Sequence, residues 1–255
     1  MPNNNISIHD GLHIEIHETD TSISDSLRKT GVHEPNLTAY FKETVQTDDH
    51  ILDIGANIGY FSLLFASLTE VSGQVIAAEP DPTNIVLLER NIERNGFDHD
   101  SVGIVQKAIS DHIGTTKFYR DSKSKGAHSI EQTDNTDGDS ITVETTTVDE
   151  LIDSTIDIIK IDVEGAENRV LDGATNTIQE YRPVIVFEMA PPIWSSSPVE
   201  TLQGLKQQGY KFRCIDTEGI RNVTPSLLVE FYEEHKQSNQ VNWINVIAEH
   251  AGRNP

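Results

Sequence analysis

Short apolar runs alternate with amphipathic stretches along most of the chain, and this alternation predicts a layered α/β protein. Each apolar run is rich in Ile, Val and Ala, which is typical of strands buried on both faces of a parallel sheet. Between the runs, apolar residues recur at helical spacing, as at Ile85, Leu88 and Ile92. Repeated strand and helix steps predict a mostly parallel sheet with helices on both faces. The predicted parallel strands begin at Ile51, Gln74, Val102, Ile156 and Pro183.

Two regions outside these steps have patterns of their own. Residues 6–18 alternate apolar and polar side chains around Asp10 and Gly11, a pair that suits the positive φ angles of a hairpin turn. Residues 22–46 carry a weaker helical pattern. In the middle of the chain, strands at 115–119 and 141–148 are expected to enlarge the sheet. They flank the polar segment 120–140, which predicts an exposed loop that is either a plain insertion or a lid.

The end of the chain breaks the alternation of strands and helices. A helix is predicted near 202–208 and a strand at 210–215, followed by a loop and a last strand at 243–248. Two consecutive strands without a crossover helix predict an antiparallel strand at the edge of the sheet.

Charge narrows the possible partners. The 255 residues include 41 acidic and 19 basic side chains, for a net charge of -22. Such a charge disfavours binding to nucleic acid or to anionic membranes, and it suits a salt-rich cytoplasm where screening weakens self-repulsion. With one cysteine, Cys214, no basic and apolar leader and no apolar run of membrane-spanning length, we expect a cytoplasmic protein without membrane insertion.

The residues that follow the predicted strands carry the candidate chemistry, because ligands of open α/β sheets bind at the carboxyl ends of the strands. The first strand runs into Asp53, Gly55, Asn57 and Gly59, without the third glycine that cradles a pyrophosphate. Glu79 follows the second strand, where a carboxylate can accept both ribose hydroxyls. A nucleoside without phosphates predicts S-adenosylmethionine, whose amino end Asp53 would help to hold. The alternative is that the glycines only permit a tight turn and that Asp53 caps backbone amides.

The segment from Asp157 to Glu167, DIIKIDVEGAE, followed by VLDGA at 170–174, resembles the signature of the FkbM family of methyltransferases. Similarity to the family extends over about residues 51–189. The resemblance implies a seven-stranded, Rossmann-like class I methyltransferase fold that binds S-adenosylmethionine and methylates oxygen, largely on hydroxyls of sugars and natural products. We accordingly expect an N-terminal extension at 1–46 that covers the substrate side and a methyltransferase domain at 47–255.

The resemblance also implies roles for individual residues. Asp162 and Glu164 would face the methyl-transfer site, where a carboxylate can take the proton of an attacking hydroxyl. Lys160 is a third catalytic candidate, although a buried ion pair with Asp162 explains it equally well. No metal is predicted, since Asp162 and Glu188 lack an obvious third ligand. The predicted cofactor residues are Asp53, Gly55, Ala56, Asn57, Gly59, Glu79, Pro80, Ala108, Ser110 and Asp111.

Two hypotheses follow for the whole chain. The first is an O-methyltransferase that acts on a hydroxyl of a sugar, glycan or related small molecule. The second is a nucleoside-binding regulatory or scaffold domain without catalytic activity. A nicotinamide-dependent oxidoreductase is disfavoured by the missing pyrophosphate cradle.

Overall fold

The structure is a computed structural model that describes residues 4–18, 23–69, 73–120, 129–130, 140–191, 193–194, 197–238 and 242–252. Most of the polar segment predicted as a loop at 120–140 lies outside these residues. The strands are β1 (Asn5–Ser7), β2 (His13–Glu15), β3 (His50–Ile54), β4 (Gln74–Ala78), β5 (Val102–Val105), β6 (Ala108–Ile109), β7 (Gly114–Tyr119), β8 (Ser140–Thr146), β9 (Ile158–Ile161), β10 (Val184–Met189), β11 (Tyr210–Asp216), β12 (Gly219–Val223) and β13 (Ile244–His250). The helices are α1 (Ile23–Thr30), α2 (Pro35–Thr44), α3 (Tyr60–Leu68), α4 (Pro82–Arg94), α5 (Val148–Leu151), α6 (Glu167–Asp172), α7 (Thr175–Tyr181), α8 (Val199–Gln207) and α9 (Pro225–His235).

The central sheet has eight strands in the order β12-β11-β13-β10-β9-β3-β4-β5. Neighbours from β5 to β10 are parallel, which confirms the mostly parallel α/β class. The sheet has one strand more than expected, because the segment predicted as a loop after 215 contains β12 and α9. The prediction missed β12 because its sequence, GIRNV, is largely exposed and lacks a regular apolar alternation.

The sheet has an antiparallel edge strand, as predicted, but β12 occupies this position and the predicted last strand lies inside the sheet. β13 pairs antiparallel with both β10 and β11, so it lies inside the sheet. The outer position belongs to β12, which is antiparallel to β11. The hydrophobic pattern alone does not order the strands, since β11 and β13 both carry buried apolar residues.

Two small sheets accompany the large one. The N-terminal hairpin of β1 and β2 is confirmed, and Asp10 and Gly11 have the expected positive φ values of 56° and 78°. The expectation that 115–119 and 141–148 enlarge the main sheet is wrong. They form β7 and β8, which pair with each other and, through β8, with β6 in a separate three-stranded sheet.

Helix α3 lies at the centre of the core. Its residues from Tyr60 to Ala66 are all buried, as the strongly apolar sequence predicts for a helix away from the surface. The Phe61 and Phe65 rings pack on Phe41 of α2, with ring centroids 5.7 and 4.8 Å apart. Aromatic packing of this kind fixes the start of α3, and therefore the turn that precedes it, relative to α2. Across the described residues, each helix falls short of the length and apolarity needed to cross a lipid bilayer.

Candidate active site

A cleft opens at the carboxyl ends of β3, β4 and β9, with an empty space of about 560 Å³ that includes open solvent. One side is apolar and the other carries amide and carboxylate groups. The lining residues are Ile54, Gly55, Asn57, Ala78, Glu79, Pro80, Asn84, Lys107, Ala108, Ile109, Phe118, Ile130, Asp162, Val163 and Ala166.

The floor of the cleft is formed where the turn after β3 meets the loop after β9. Gly55 has a φ of 77°, and a Cβ atom at this position would lie 1.8 Å from the backbone oxygen of Asp162. Only glycine permits this approach, so Gly55 is required by packing between two loops of the protein itself. The contact places the Asp162 side of the site directly beside the β3 turn.

Glu79 is held at the end of β4 by backbone amides. Its Oε2 accepts a hydrogen bond from the Asn57 N–H at 2.9 Å, and its Oε1 accepts one from the Asp81 N–H at 2.8 Å. The Asn84 amide lies 3.4 Å from Oε1. Burial raises the pKa of Glu79 to about 7, and the amide hydrogen bonds oppose this rise. Oε2 accepts one of these hydrogen bonds and has a second acceptor position, so the group can still accept a hydroxyl from a ligand in the cleft.

Lys160 of β9 is buried and lies next to Asp53 of β3. Its Nζ is 3.4 Å from Asp53 Oδ1 and 3.4 Å from Asp162 Oδ2, and it lies 4.9 Å from the centre of the Phe61 ring. Burial on its own would lower the pKa of Lys160, but Asp53 and Asp162 reverse this effect and raise it. A lysine that keeps its proton holds neighbouring carboxylates in place and does not act as a base at neutral pH.

Asp53 faces away from the cleft. It is fully buried, and its Oδ2 accepts a hydrogen bond of 2.6 Å from Ser62 of α3. Its other oxygen lies beside Lys160. Asp53 of β3 therefore forms a buried ion pair with Lys160 and is also held by Ser62 of α3.

The loop after β9 has an internal support in Glu167. This buried carboxylate accepts hydrogen bonds from the backbone N–H groups of Val163 and Gly165, at 3.1–3.2 Å. Burial raises the pKa of Glu167 to about 7. Between these two amides, Glu164 adopts a left-handed φ of 54°. Glu167 thus stabilises an uncommon backbone conformation that sets the positions of Asp162 and Glu164.

Further carboxyl groups gather around Asp162. Single oxygen atoms of Asp162, Glu164 and Glu188 lie within 4.8 Å of one another, a spacing that could hold a metal ion. Glu34, just before α2, is near enough to Asp162 for their charges to interact, and it accepts a hydrogen bond of 2.8 Å from Asn245. Burial, followed by the charge of Asp162, raises the pKa of Glu34 to about 7. Burial and the nearby Glu164 and Asp162 also raise the pKa of Glu188.

The structure therefore separates the predicted site residues into two groups. The first group lines the cleft: Gly55, Asn57, Glu79, Pro80, Ala108 and Asp162. The second group does not line it: Asp53, Ala56, Gly59, Ser110, Asp111, Lys160 and Glu164. Within the second group, Ser110 is fully buried and Asp111 lies at the surface against His112. The roles given to these residues from the sequence stay predictions.

Sequence reasoning missed several residues of the site. Glu188 was considered only as a possible metal ligand together with Asp162. Glu164, which lies close to both, was assigned to catalysis. Asn84 carried a usable signal, because it lies five residues after Glu79 at the start of the next helix. Glu34 and Phe118 carried none, since their positions depend on how α2 and the small sheet pack against the main one.

The cleft fits S-adenosylmethionine. Glu79 offers acceptors for ribose hydroxyls, while Ile109, Phe118 and Ile130 give an apolar wall for a base. Lys107 is the single cation among the lining residues, and a pyrophosphate cradle would need more positive charge than this. Asp162 supplies negative charge suited to a cationic ligand. A mostly parallel sheet with a ligand cleft at the carboxyl ends of its strands is the arrangement of the class I methyltransferase fold.

Solved structures share this fold. The FkbM methyltransferase from Methylobacillus flagellatus superposes with a TM-score of 0.52 at 17% identity, over 91% of this chain and 49% of that one. A putative rRNA methylase from Clostridium thermocellum superposes with a TM-score of 0.51 at 13% identity, over 86% of this chain and 97% of that one. Identities this low establish the fold and nothing about the substrate.

The chain belongs to the FkbM methyltransferase family, because residues 53–212 match the model of the methyltransferase FkbM domain. It is 30% identical over 158 residues to the hexuronic acid methyltransferase AglP of Haloferax volcanii. That alignment covers 60% of this chain and 61% of AglP, so the chain aligns with less than two thirds of its relative. The family assignment confirms the resemblance found in the sequence and the S-adenosylmethionine cofactor that it implies.

Proposed function

We propose that the protein is an S-adenosylmethionine-dependent O-methyltransferase that acts on a hydroxyl of a sugar, glycan or related small molecule. The observation that carries this proposal is the position of Asp162, which lines the cofactor cleft and also belongs to a cluster of carboxyl groups. The cofactor supplies a methyl group bound to a positively charged sulfur. The protein must supply orientation of the hydroxyl and a place for its proton.

The carboxyl cluster meets both needs. Asp162 is partly exposed at the cleft and is held by Lys160, so it can accept a hydrogen bond from the acceptor hydroxyl. The Asp162 carboxylate would take the hydroxyl proton as the hydroxyl oxygen gains the methyl group, the sulfur–methyl bond breaks and S-adenosylhomocysteine leaves. Glu34 and Glu188 lie nearby, and burial together with the neighbouring carboxylates raises the pKa of both. Lys160 is the charge partner of Asp162. Glu164 is a second carboxylate beside Asp162 that can accept a hydrogen bond.

A saccharide acceptor is favoured by the relative named as a hexuronic acid methyltransferase. Nucleic acid is disfavoured by the net charge of -22, which would repel phosphates, and we propose that the chain does not bind it. Cytoplasmic location is proposed from the single, buried and unbridged Cys214. We also propose that residues 1–46 cover the acceptor side, since Glu34 of this segment reaches the carboxyl cluster, and that residues 47–255 form the methyltransferase domain.

Binding and turnover should be measured separately. Calorimetry with S-adenosylhomocysteine tests the cleft, and methyl-labelled S-adenosylmethionine with a panel of neutral sugars, hexuronic acids and oligosaccharides tests the reaction. We expect binding of the nucleoside and label transfer to at least one saccharide, reduced in Asp162→Asn. Absence of nucleoside binding would contradict the cofactor site. Binding without transfer to any acceptor would favour the inactive regulatory domain.

A further inference from the structure

The hairpin strand β2 is docked on helix α4 by three asparagine side chains. Asn84, Asn91 and Asn95 are spaced by seven and four residues, which places them on one face of α4. They meet alternate residues of β2 and its extension, namely His17, Glu15 and His13. We call this set of three contacts the asparagine ladder.

One edge of β2 pairs with β1. At the opposite edge, the asparagine ladder makes the hydrogen bonds that a neighbouring strand would make. Asn95 accepts from the His13 N–H at 2.8 Å and donates to the His13 carbonyl at 2.7 Å. Asn91 makes the same pair of contacts with Glu15, at 2.6 and 3.0 Å. These contacts pair the backbone groups of His13 and Glu15, and they determine where the hairpin lies.

One member of the ladder contacts the turn before α3, and another lines the cofactor cleft. The Asn91 amide also donates to the Ile58 carbonyl at 2.8 Å, in the turn after β3. Asn84 is 2% exposed and lies between His17 Nε2, 2.8 Å from its oxygen, and Glu79 Oε1, 3.4 Å from its nitrogen. Because an ionised carboxylate only accepts, the Asn84 nitrogen faces Glu79 and its oxygen faces His17. The His17 Nε2 therefore carries the hydrogen.

From this chain of contacts we propose that His17 is a positioning residue for the cofactor site, acting on Glu79 through Asn84. His17 lies outside the segment that matches the FkbM domain, so this hairpin contributes to the site from beyond the family's shared region. The inference rests on the proposed cofactor site. With His17 in place, Asn84 has one orientation, and its N–H group stays directed at the Glu79 carboxylate.

The test compares two histidines of the same hairpin. Loss of one hydrogen bond that orients Asn84 predicts a roughly 3- to 10-fold higher Kd for S-adenosylhomocysteine in His17→Ala, measured by calorimetry. The KM for S-adenosylmethionine should rise in parallel, while kcat and the acceptor KM stay within about twofold. His13→Ala is the matched control, because this exposed residue meets the ladder through its backbone. His17→Gln should restore affinity, since its amide can donate to Asn84.

Several outcomes overturn the inference. Equal Kd values for wild type and His17→Ala would refute it, as would an equal loss of affinity in His13→Ala. Failure of His17→Gln to restore binding would show that the ring has a packing role and not a hydrogen-bonding one. If the wild type itself binds no S-adenosylhomocysteine, the proposed cofactor site falls and this inference falls with it. Thermal unfolding of each variant separates a misplaced Glu79 from a loosened hairpin.

Discussion

Glu79 and Asp162 line the same cleft, but their surroundings differ. Glu79 accepts hydrogen bonds from two backbone amides and lies near the amide of Asn84. Asp162 lies between the Lys160 ammonium and a group of other carboxyl side chains. A carboxylate fixed by amides is suited to recognise hydroxyls in a constant geometry. A carboxylate in a crowded acidic cluster is suited to receive and pass on a proton.

The two regions should also respond differently to substitutions. The Glu79 carboxylate accepts hydrogen bonds from neutral donors, so loss of this carboxylate should affect ligand affinity more than folding. Asp162 and Asp53 share one buried cation, Lys160. Loss of this cation should therefore affect folding and chemistry together. The following predictions test this contrast, from the largest expected effect to the smallest.

Removal of the buried cation should have the largest effect. In Lys160→Met, Asp53 stays buried without its charge partner, and the free energy of unfolding should fall by about 3–5 kcal/mol. Urea denaturation measures this change. Lys236→Met is the control, because its exposed pair with Glu233 should contribute little. A cost below about 1 kcal/mol for Lys160→Met would show that the cluster does not depend on this lysine.

Asp162→Asn should separate chemistry from binding. The amide keeps the shape of the side chain but accepts a proton poorly, so kcat should fall on the order of 100-fold. The Kd for S-adenosylhomocysteine should change by less than about threefold, since Glu79 remains intact. Single-turnover assays and calorimetry give the two quantities. An unchanged kcat would remove Asp162 from the reaction.

Glu79→Gln should show the opposite behaviour. Its amide nitrogen would face the N–H of Asn57 or Asp81, and one ribose acceptor would be lost. We expect the Kd for S-adenosylhomocysteine to rise roughly 10- to 100-fold, with a smaller change in kcat. Wild-type affinity should also weaken below pH 7, because the pKa of Glu79 is raised to about 7 and protonation removes acceptor capacity. Exposed Glu93→Gln is the control.

The pH dependence of stability should be the smallest effect. Burial raises the pKa values of Glu34, Glu79 and Glu167 to about 7, from 4.5 in the unfolded chain. The folded state then binds more protons than the unfolded state between these values. The associated stability is complete below pH 4.5 and is lost as the pH rises to 7.

For the ligand-free protein, we expect the free energy of unfolding to decrease as the pH rises from 5 to 7.5. Urea denaturation across this range measures the slope. Glu167→Gln should flatten the slope, because one titrating group is lost. A stability that increases over this range would contradict the raised pKa values.

Much of the fold could be predicted because its signals are local. The strand before Asp53, the buried helix α3 and the carboxylate at the end of β4 each follow from a few consecutive residues. The FkbM resemblance rests on one continuous segment at 157–174 as well. By contrast, β12 was missed because exposed polar residues form an edge strand only when β11 is there to pair with it.

The sequence by itself determined which carboxylates follow the strands and that the turn after β3 cannot cradle a pyrophosphate. Tertiary structure decided which of these groups meet. Glu34 reaches Asp162 across 128 residues, and His17 reaches Asn84 across 67. Strand order, register and helix docking set such neighbours, and they depend on the packing of the whole chain. For the same reason, only the structure placed Asp53 in a buried ion pair behind the cleft that Glu79 and Asp162 line.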